Sequence, residues 1–130
     1  MTRVAYVDAS AMAKLALDEA ESPAMLRWYV ESERLVSSRV GLIETQRATR
    51  RHVHDAVQLD AVLRSVLVLE VDDAIAQSAA RVGPAALRTL DAIHLATALA
   101  LGTDLDAFVT YDDRLADAAR AVGLPVVRPA

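Results

Sequence analysis

Short runs of apolar, largely β-branched residues alternate along this chain with longer segments of helical periodicity. The runs are RVAYV (3–7), LVSS (35–38), LVLEV (67–71), AFVT (107–110) and PVVRP (125–129). Strands that are apolar throughout and separated by helices are typical of a parallel sheet covered by helices on both faces. The pattern therefore predicts an α/β domain with five strands. In such sheets a ligand binds beyond the carboxyl ends of the strands, so functional residues are sought there.

Length and composition narrow the class of protein. The 130 residues fit a single domain, expected to span 1–130 and to bury one substantial core. The absence of cysteine excludes a disulfide framework and a thiolate zinc site. No signal-peptide pattern and no run of about 18 apolar residues occurs, so we expect a cytoplasmic protein without a membrane span. A net charge of −4 means that a nucleic acid would need a local binding site.

Aspartates follow three of the five predicted strands. Asp8 comes directly after VAYV, Asp112 follows FVTY, and Asp72 and Asp73 follow LVLEV. Each of these strand ends is also where the N-cap of the next helix belongs, and aspartate is among the preferred capping residues. Taken one at a time, these aspartates are explained by capping.

Two further acids lie on predicted helices with apolar neighbours. Glu44 stands in RVGLIETQRATRR and Asp91 in LRTLDAIHLATALAL. Alone, Glu44 fits a solvated helix position, and Asp91 fits the positive first turn of its helix. These readings leave out the joint arrangement, in which two strand ends and two overlying helices bring carboxylates to one edge of the sheet. Converging carboxylates repel one another unless they bind protons or a cation.

A carboxylate cluster of this kind indicates a divalent cation. Hard oxygen ligands suit Mg²⁺ or Mn²⁺, which bind through a few carboxylates and keep several water molecules. Such an ion lowers the pKa of a bound water and neutralises developing charge, and a second ion would clamp both the attacking and the leaving oxygens. The acids therefore predict metal-dependent hydrolysis of phosphodiester bonds.

Four segments carry these acids and their neighbours: VDASAMAKLALDEAES, SSRVGLIETQRATRR, RTLDAIHLATALALG and FVTYDDRLADAARAVGLPVV. In order and spacing they resemble the four blocks of PIN-domain ribonucleases, and more narrowly the VapC toxins of bacterial toxin–antitoxin modules. The resemblance covers nearly the whole chain. It implies a five-stranded parallel sheet in a three-layer α/β/α sandwich with strand order 3-2-1-4-5. It also implies a Mg²⁺-dependent endoribonuclease whose acidic site consists of Asp8, Glu44, Asp91 and Asp112.

The resemblance extends to neighbouring residues and to partners. Ser10 and Thr110 match hydroxyls that family members place beside the acids, where they are candidates for contact with RNA. Asp113 follows Asp112 directly, and the family pattern favours Asp112 as the site residue. The resemblance further implies an RNA substrate and a small antitoxin whose tail covers the cleft. We also expect a homodimer formed through the helices around Trp28 and the apolar face after Glu44. Mn²⁺ is expected to substitute for Mg²⁺.

Basic and histidine residues near the acids give weaker signals. Arg47, Arg51 and His54 share one predicted helical stripe leading away from Glu44, where they would offer cations to RNA phosphates. A solvated helix face explains this stripe equally well. His94 lies on an apolar helix, and we expect a structural histidine with a hydrogen-bond partner rather than a metal ligand.

Two other functional classes are weighed against the nuclease. A phosphoacceptor receiver domain shares the length, the parallel topology and the acidic strand ends, but it needs a lysine late in the chain, and Lys14 is the only lysine. The second is a PIN-like binding module without catalysis, against which the complete set of acids argues. A nuclease assay separates this module from the enzyme.

Overall fold

Five strands and seven α-helices alternate in residues 3–130, which are the residues described by the structure, a computed structural model. The strands are β1 Val4–Val7, β2 Arg34–Ser38, β3 Val66–Leu69, β4 Ala107–Val109 and β5 Val126–Val127. The helices are α1 Ala9–Lys14, α2 Ser22–Glu31, α3 Arg39–Thr49, α4 Ala56–Ser65, α5 Asp73–Ala79, α6 Thr89–Leu99 and α7 Asp113–Ala121. All five predicted strands are present, and their ends differ from the predicted ones by no more than two residues.

The strands form one parallel sheet in the order β3-β2-β1-β4-β5, which confirms the order implied by the sequence blocks. The central strand β1 pairs with β2 on one side and with β4 on the other. Val7 is in register with Val109, and the Asp8 N–H donates to the Val109 carbonyl at 3.2 Å. The residues that follow β1 and β4 therefore leave the sheet side by side. β3, in contrast, is an edge strand beyond β2.

The side chains of the central strands alternate between two apolar clusters, as the two-residue period of a strand requires. Ala5 and Val7 face a cluster with α1, α2 and α4, whereas Tyr6 faces a cluster with α6 and α7. In β4 the same division separates Val109 from Phe108. The sheet is thus buried between two helical layers, and the predicted three-layer sandwich is confirmed.

Several helices begin at a polar side chain that lies at the end of a strand or within three residues after it. Asp8 caps α1, Ser38 caps α3, Asp72 caps α5 and Asp112 caps α7, each accepting a hydrogen bond from a backbone N–H of its helix. The capping predicted for the three aspartates is therefore confirmed. Among the helices of residues 3–130, none combines the length and apolar content that a membrane crossing requires.

Candidate active site

A cleft of about 730 Å³ opens at the carboxyl ends of β1 and β4. All four predicted acids line it: Asp8, Glu44, Asp91 and Asp112. β1 and β4 are adjacent in the sheet, with β2 and β3 on the far side of β1 and β5 on the far side of β4. The cleft is therefore at the point where the strand order reverses. This is where open parallel sheets bind their ligands.

Asp8 lies at the buried end of the cleft, with 3% of its surface exposed. Its Oδ1 accepts hydrogen bonds from the Ala11 N–H at 2.9 Å and the Ser10 hydroxyl at 2.7 Å. Its Oδ2 accepts one from the Thr110 hydroxyl at 2.5 Å. Burial raises the pKa of Asp8, and the donated hydrogen bonds oppose this shift. The carboxylate is therefore oriented on both oxygens by groups from α1 and from Thr110, the residue that follows β4.

Glu44 reaches the cleft from the middle of α3. Its Oε1 lies 2.6 Å from His94 Nε2, and His94 Nδ1 lies 2.6 Å from the Tyr6 hydroxyl. His94 is only 2% exposed and Tyr6 is fully buried. The expectation of a structural histidine with a hydrogen-bond partner agrees with this geometry, which supplies two partners instead of one.

Asp91 and Asp112 form the open side of the cleft, and one arginine lies against both. Arg88 Nε is 3.4 Å from Asp91 Oδ2, and Arg88 Nη2 is 3.9 Å from Asp112 Oδ2. Burial and the charge of Asp112 raise the pKa of Asp91, while Arg88 and His94 lower it. Sequence reasoning missed Arg88, although its spacing of three residues from Asp91 is that of a helical ion pair.

The tandem aspartates after β4 point in different directions. Asp112 Oδ1 caps α7 by accepting from the Leu115 N–H at 3.0 Å, which leaves Oδ2 directed at Arg88. Asp113 does not line the cleft and pairs instead with Arg128, at 2.7 Å between Oδ1 and Nη1. Of the two, Asp112 is the one placed beside the other acids.

The rim of the cleft is basic. The prediction that Arg47, Arg51 and His54 share one face of a helix is wrong, because only Arg47 lies in α3. Helix α3 ends at Thr49, where the chain turns toward α4, so Arg51 and His54 do not continue its face. His54 instead contacts the His52 carbonyl at 3.0 Å through its ring. Arg47 and Arg51 nevertheless both line the cleft, together with Arg50, which sequence reasoning missed. The turn brings consecutive arginines to the rim, an effect that helical spacing does not predict.

The donor set fits a hard divalent cation that keeps part of its water shell. Within residues 3–130, no three acidic, histidine or cysteine side chains are close enough to enclose an ion by themselves. The cleft does supply carboxylate oxygens from two strand ends and two helices, and burial raises the pKa of Asp8 and Asp91. Mg²⁺ binds through one or two carboxylates plus water and substrate phosphate. The open spacing and the chemistry of the ligands therefore suit Mg²⁺ better than an ion that requires a closed protein cage.

Sheet order and site together define a three-layer α/β domain with a carboxylate cleft at its topological switch point. The PIN domain family matches residues 5–121. The chain is 42% identical over 125 residues to Ribonuclease VapC46 of Mycobacterium tuberculosis, and the alignment covers 95% of this chain and 96% of that protein. The chain therefore belongs to the PIN-domain family, in its VapC branch.

Solved structures show the same fold at low sequence identity. The crystal structure of Mycobacterium tuberculosis VapC20, a sarcin–ricin loop cleaving toxin, has a TM-score of 0.73 at 20% identity and covers 96% of this chain and 99% of that one. VapBC2 from Rickettsia felis, bound to a DNA fragment from its promoter, has a TM-score of 0.63 at 10% identity and covers 98% of this chain and 99% of that one. These likenesses concern the fold alone.

Family membership removes the receiver domain from consideration. The structure agrees, because Lys14 pairs with Glu19 at 3.3 Å and with Glu21 at 3.0 Å. Asp72 and Asp73, which follow the third strand and could each imitate a phosphoacceptor, are not among the residues that line the cleft, and Asp72 caps α5. The non-catalytic binding module is left as the alternative to an enzyme.

Proposed function

We propose that this protein is a Mg²⁺-dependent endoribonuclease acting in the cytoplasm as the toxin of a toxin–antitoxin pair. The observation that carries the proposal is the convergence of four carboxylates on one cleft at the ends of β1 and β4. The likeness to a curated protein named Ribonuclease VapC46 over nearly its whole length supports an RNA substrate.

In this proposal Asp8, Glu44, Asp91 and Asp112 hold the ion, one or two of them directly and the others through water molecules of its shell. Bound Mg²⁺ supplies a water of lowered pKa and positive charge against the phosphate oxygens. Asp8 enters the reaction already oriented, because its neighbouring hydroxyls fix both of its oxygens. Preorganised ligands contribute to catalysis because they need not reorganise when charge develops.

The arginines at the rim account for RNA binding by an acidic protein. Arg47, Arg50 and Arg51 line the same cleft as the acids, so a phosphate backbone reaching the carboxylates passes these cations. Contacts of this kind position a nucleic acid without reading its sequence. Ser10 and Thr110 are the other candidates for contact with RNA, although in this structure both donate to Asp8.

The proposal is tested by cleavage of transfer, ribosomal and messenger RNA by the purified protein. We expect cleavage with Mg²⁺ or Mn²⁺, none in EDTA, and at least a 100-fold loss, on the order expected for a metal ligand, in Asp91→Asn. RNA that is retained but not cleaved under all of these metal conditions would instead identify the non-catalytic binding module.

Two protein partners belong to the same proposal. Exposed apolar residues on α2 and around α4 suit a homodimer: Leu26, Val30, Val53 and Val57. Trp28, by contrast, packs against the core and lies under Arg3, so it would contribute at most its edge.

The VapBC2 complex supports a DNA-binding antitoxin as second partner. Sedimentation at micromolar concentration tests the dimer, and co-purification with the product of an adjacent short open reading frame tests the antitoxin.

A further inference from the structure

A chain of hydrogen bonds runs from the buried core to Glu44 through His94. The Tyr6 hydroxyl and His94 Nδ1 are 2.6 Å apart, and His94 Nε2 and Glu44 Oε1 are also 2.6 Å apart. We infer that His94 is a positioning residue that holds Glu44 in the cleft by donating from a protonated Nε2, and that it is not a metal ligand. The inference rests on the proposed function, because it assigns the group that orients one of the proposed ligands.

The direction of the hydrogen bonds follows from which groups donate to the Tyr6 hydroxyl and which accept from it. The Ser38 backbone N–H donates to the Tyr6 oxygen at 3.3 Å, so the hydroxyl proton is available for His94 Nδ1. A neutral imidazole that accepts at Nδ1 carries its proton on Nε2. If Nδ1 donated instead, the Tyr6 oxygen would accept from two N–H groups, and its own hydroxyl proton would need another acceptor at a fully buried site. Burial raises the pKa of Tyr6, which keeps its hydroxyl protonated.

The imidazole ring is held in place by its surroundings as well as by its hydrogen bonds. It packs edge-on against the Tyr6 ring, with centroids 5.7 Å apart and planes at 78°. The Tyr6 ring in turn stacks on Phe108 at 5.2 Å. On the α3 side, a Cβ added at Gly41 would lie 3.1 Å from His94 Cε1 and would also collide with the Ser37 hydroxyl. Gly41 therefore leaves the space that lets α3 approach this ring.

Glu44 depends on this contact more than the aspartates depend on theirs. Asp8 and Asp112 are helix caps, so backbone N–H groups fix their short side chains. Glu44 lies inside α3 on a longer side chain, and within residues 3–130 its hydrogen-bond partner is His94. Without the imidazole, Glu44 would sample several rotamers, and ion binding would have to order it. A protonated Nε2 has no lone pair to offer a metal, so His94 acts on the ion only through Glu44.

The tautomer is read directly by NMR of the histidine ring nitrogens in the full-length protein, with the His94 signals assigned by their loss in His94→Gln. We expect a proton on Nε2, within reach of Glu44, and a bare Nδ1 that accepts from the Tyr6 hydroxyl, with the same pattern after addition of Mg²⁺. A ring protonated on Nδ1, or an Nε2 that loses its proton on Mg²⁺ addition, would overturn the inference. This readout does not require RNA cleavage, so it decides the role of His94 even if the proposed function fails.

Metal affinity and kinetics test the positioning role with three variants. His94→Leu removes the donor, and we expect weaker Mg²⁺ binding and lower kcat by about 10- to 100-fold, with an unchanged KM for RNA. His94→Gln retains an N–H that can reach Glu44 and should recover part of both losses. Tyr6→Phe removes only the hydroxyl and should give a mixture of tautomers with a smaller loss of affinity.

Thermal melts of the metal-free variants separate folding from positioning. Should His94→Leu fail to fold, His94→Gln and Tyr6→Phe carry the test: a graded loss of Mg²⁺ affinity supports the inference, and parental affinity in both contradicts it. A loss of affinity that is equal in His94→Leu and His94→Gln would point to His94 as a ligand instead.

Discussion

Strands β3 and β4 both run into an Asp-Asp pair that starts a helix, yet only one of these pairs reaches the cleft. Asp72 accepts from the Ile75 N–H at 2.8 Å, and Asp112 accepts from the Leu115 N–H at 3.0 Å. As helix caps the two residues are equivalent. The difference lies in their neighbours, because β4 is adjacent to β1 and its aspartate, whereas β3 is separated from β1 by β2.

This comparison separates a local role from one that depends on the fold. Capping requires only an aspartate before a helix, and both strand ends meet that requirement. Participation in the acidic cleft requires a second carboxylate nearby, and at the β4 end Arg88 links Asp112 to Asp91. Asp112 is therefore the position to test, and Asp72 is a matched control in the same chain.

The largest expected effect is on RNA cleavage. Asp112→Asn retains the cap and the side-chain volume but removes the charge that holds the cation. We expect cleavage to fall by about 100-fold or more, because metal-assisted charge stabilisation is worth several kcal/mol and about 1.4 kcal/mol is tenfold in rate. Cleavage of RNA and toxicity on expression without an antitoxin are the measurements.

Asp72→Asn is the control for this experiment and should cleave RNA at the parental rate. Full activity in Asp112→Asn together with inactivity in Asp113→Asn would show that the site residue is Asp113 and not Asp112. Full activity in both would remove the acidic-site hypothesis itself.

The second effect is stabilisation by metal. A ligand that binds only the native state raises its free energy of unfolding, by ~2.7 kcal/mol when free ligand is ~100-fold above Kd. Millimolar Mn²⁺ should therefore raise the melting temperature of the parent and of Asp72→Asn. The increase should be largely absent in Asp112→Asn. Equal increases in all three proteins would place the bound ion outside the cleft.

A third effect concerns pH at the pair Asp91 and Asp112. Burial and the charge of Asp112 raise the pKa of Asp91 above its ordinary value of 3.8. A carboxyl whose pKa rises on folding destabilises the native state when ionised, so this cost is present at neutral pH. It disappears as the pH falls through the raised pKa toward 3.8.

Asp91→Asn should therefore be more stable than the metal-free parent at neutral pH, and its advantage should shrink on acidification. Urea unfolding at a series of pH values gives this difference. Asp112→Asn removes the neighbouring charge and should change stability in the same direction. A metal-free Asp91→Asn that is less stable than the parent at neutral pH would show that the ion pair with Arg88 outweighs the repulsion.

The smallest effect tests whether the two caps are truly equivalent. Asp72→Ala should lose about 0.5–2 kcal/mol of the free energy of unfolding without metal, as helix caps do. Asp112→Ala should lose less, because it also relieves the repulsion with Asp91. The two Asn variants should keep their caps. Urea unfolding of the four metal-free variants decides this, and a larger loss at Asp112 than at Asp72 would contradict the repulsion.

The sequence by itself determined the elements and the residue types of the cleft. The alternation of apolar strands and helices predicted the five strands, and the sequence blocks implied their order, which the structure confirms. Caps were predictable because an aspartate and the N–H groups that it accepts lie within three residues of each other. The candidate acids were identifiable for a similar reason, since strand ends and helix starts can be read from local patterns.

The tertiary structure decided which of these residues meet. The family pattern favoured Asp112 over Asp113, but only the structure shows that Asp112 lies by Arg88 in the cleft and that Asp113 pairs with Arg128 outside it. The bridge from Tyr6 through His94 to Glu44 joins residues up to 88 positions apart in the chain. The basic rim depends on the end of α3 at Thr49, where the chain turns toward α4. Periodicity describes one element at a time, whereas these contacts are set by how elements pack across the sheet, so no local pattern contains them.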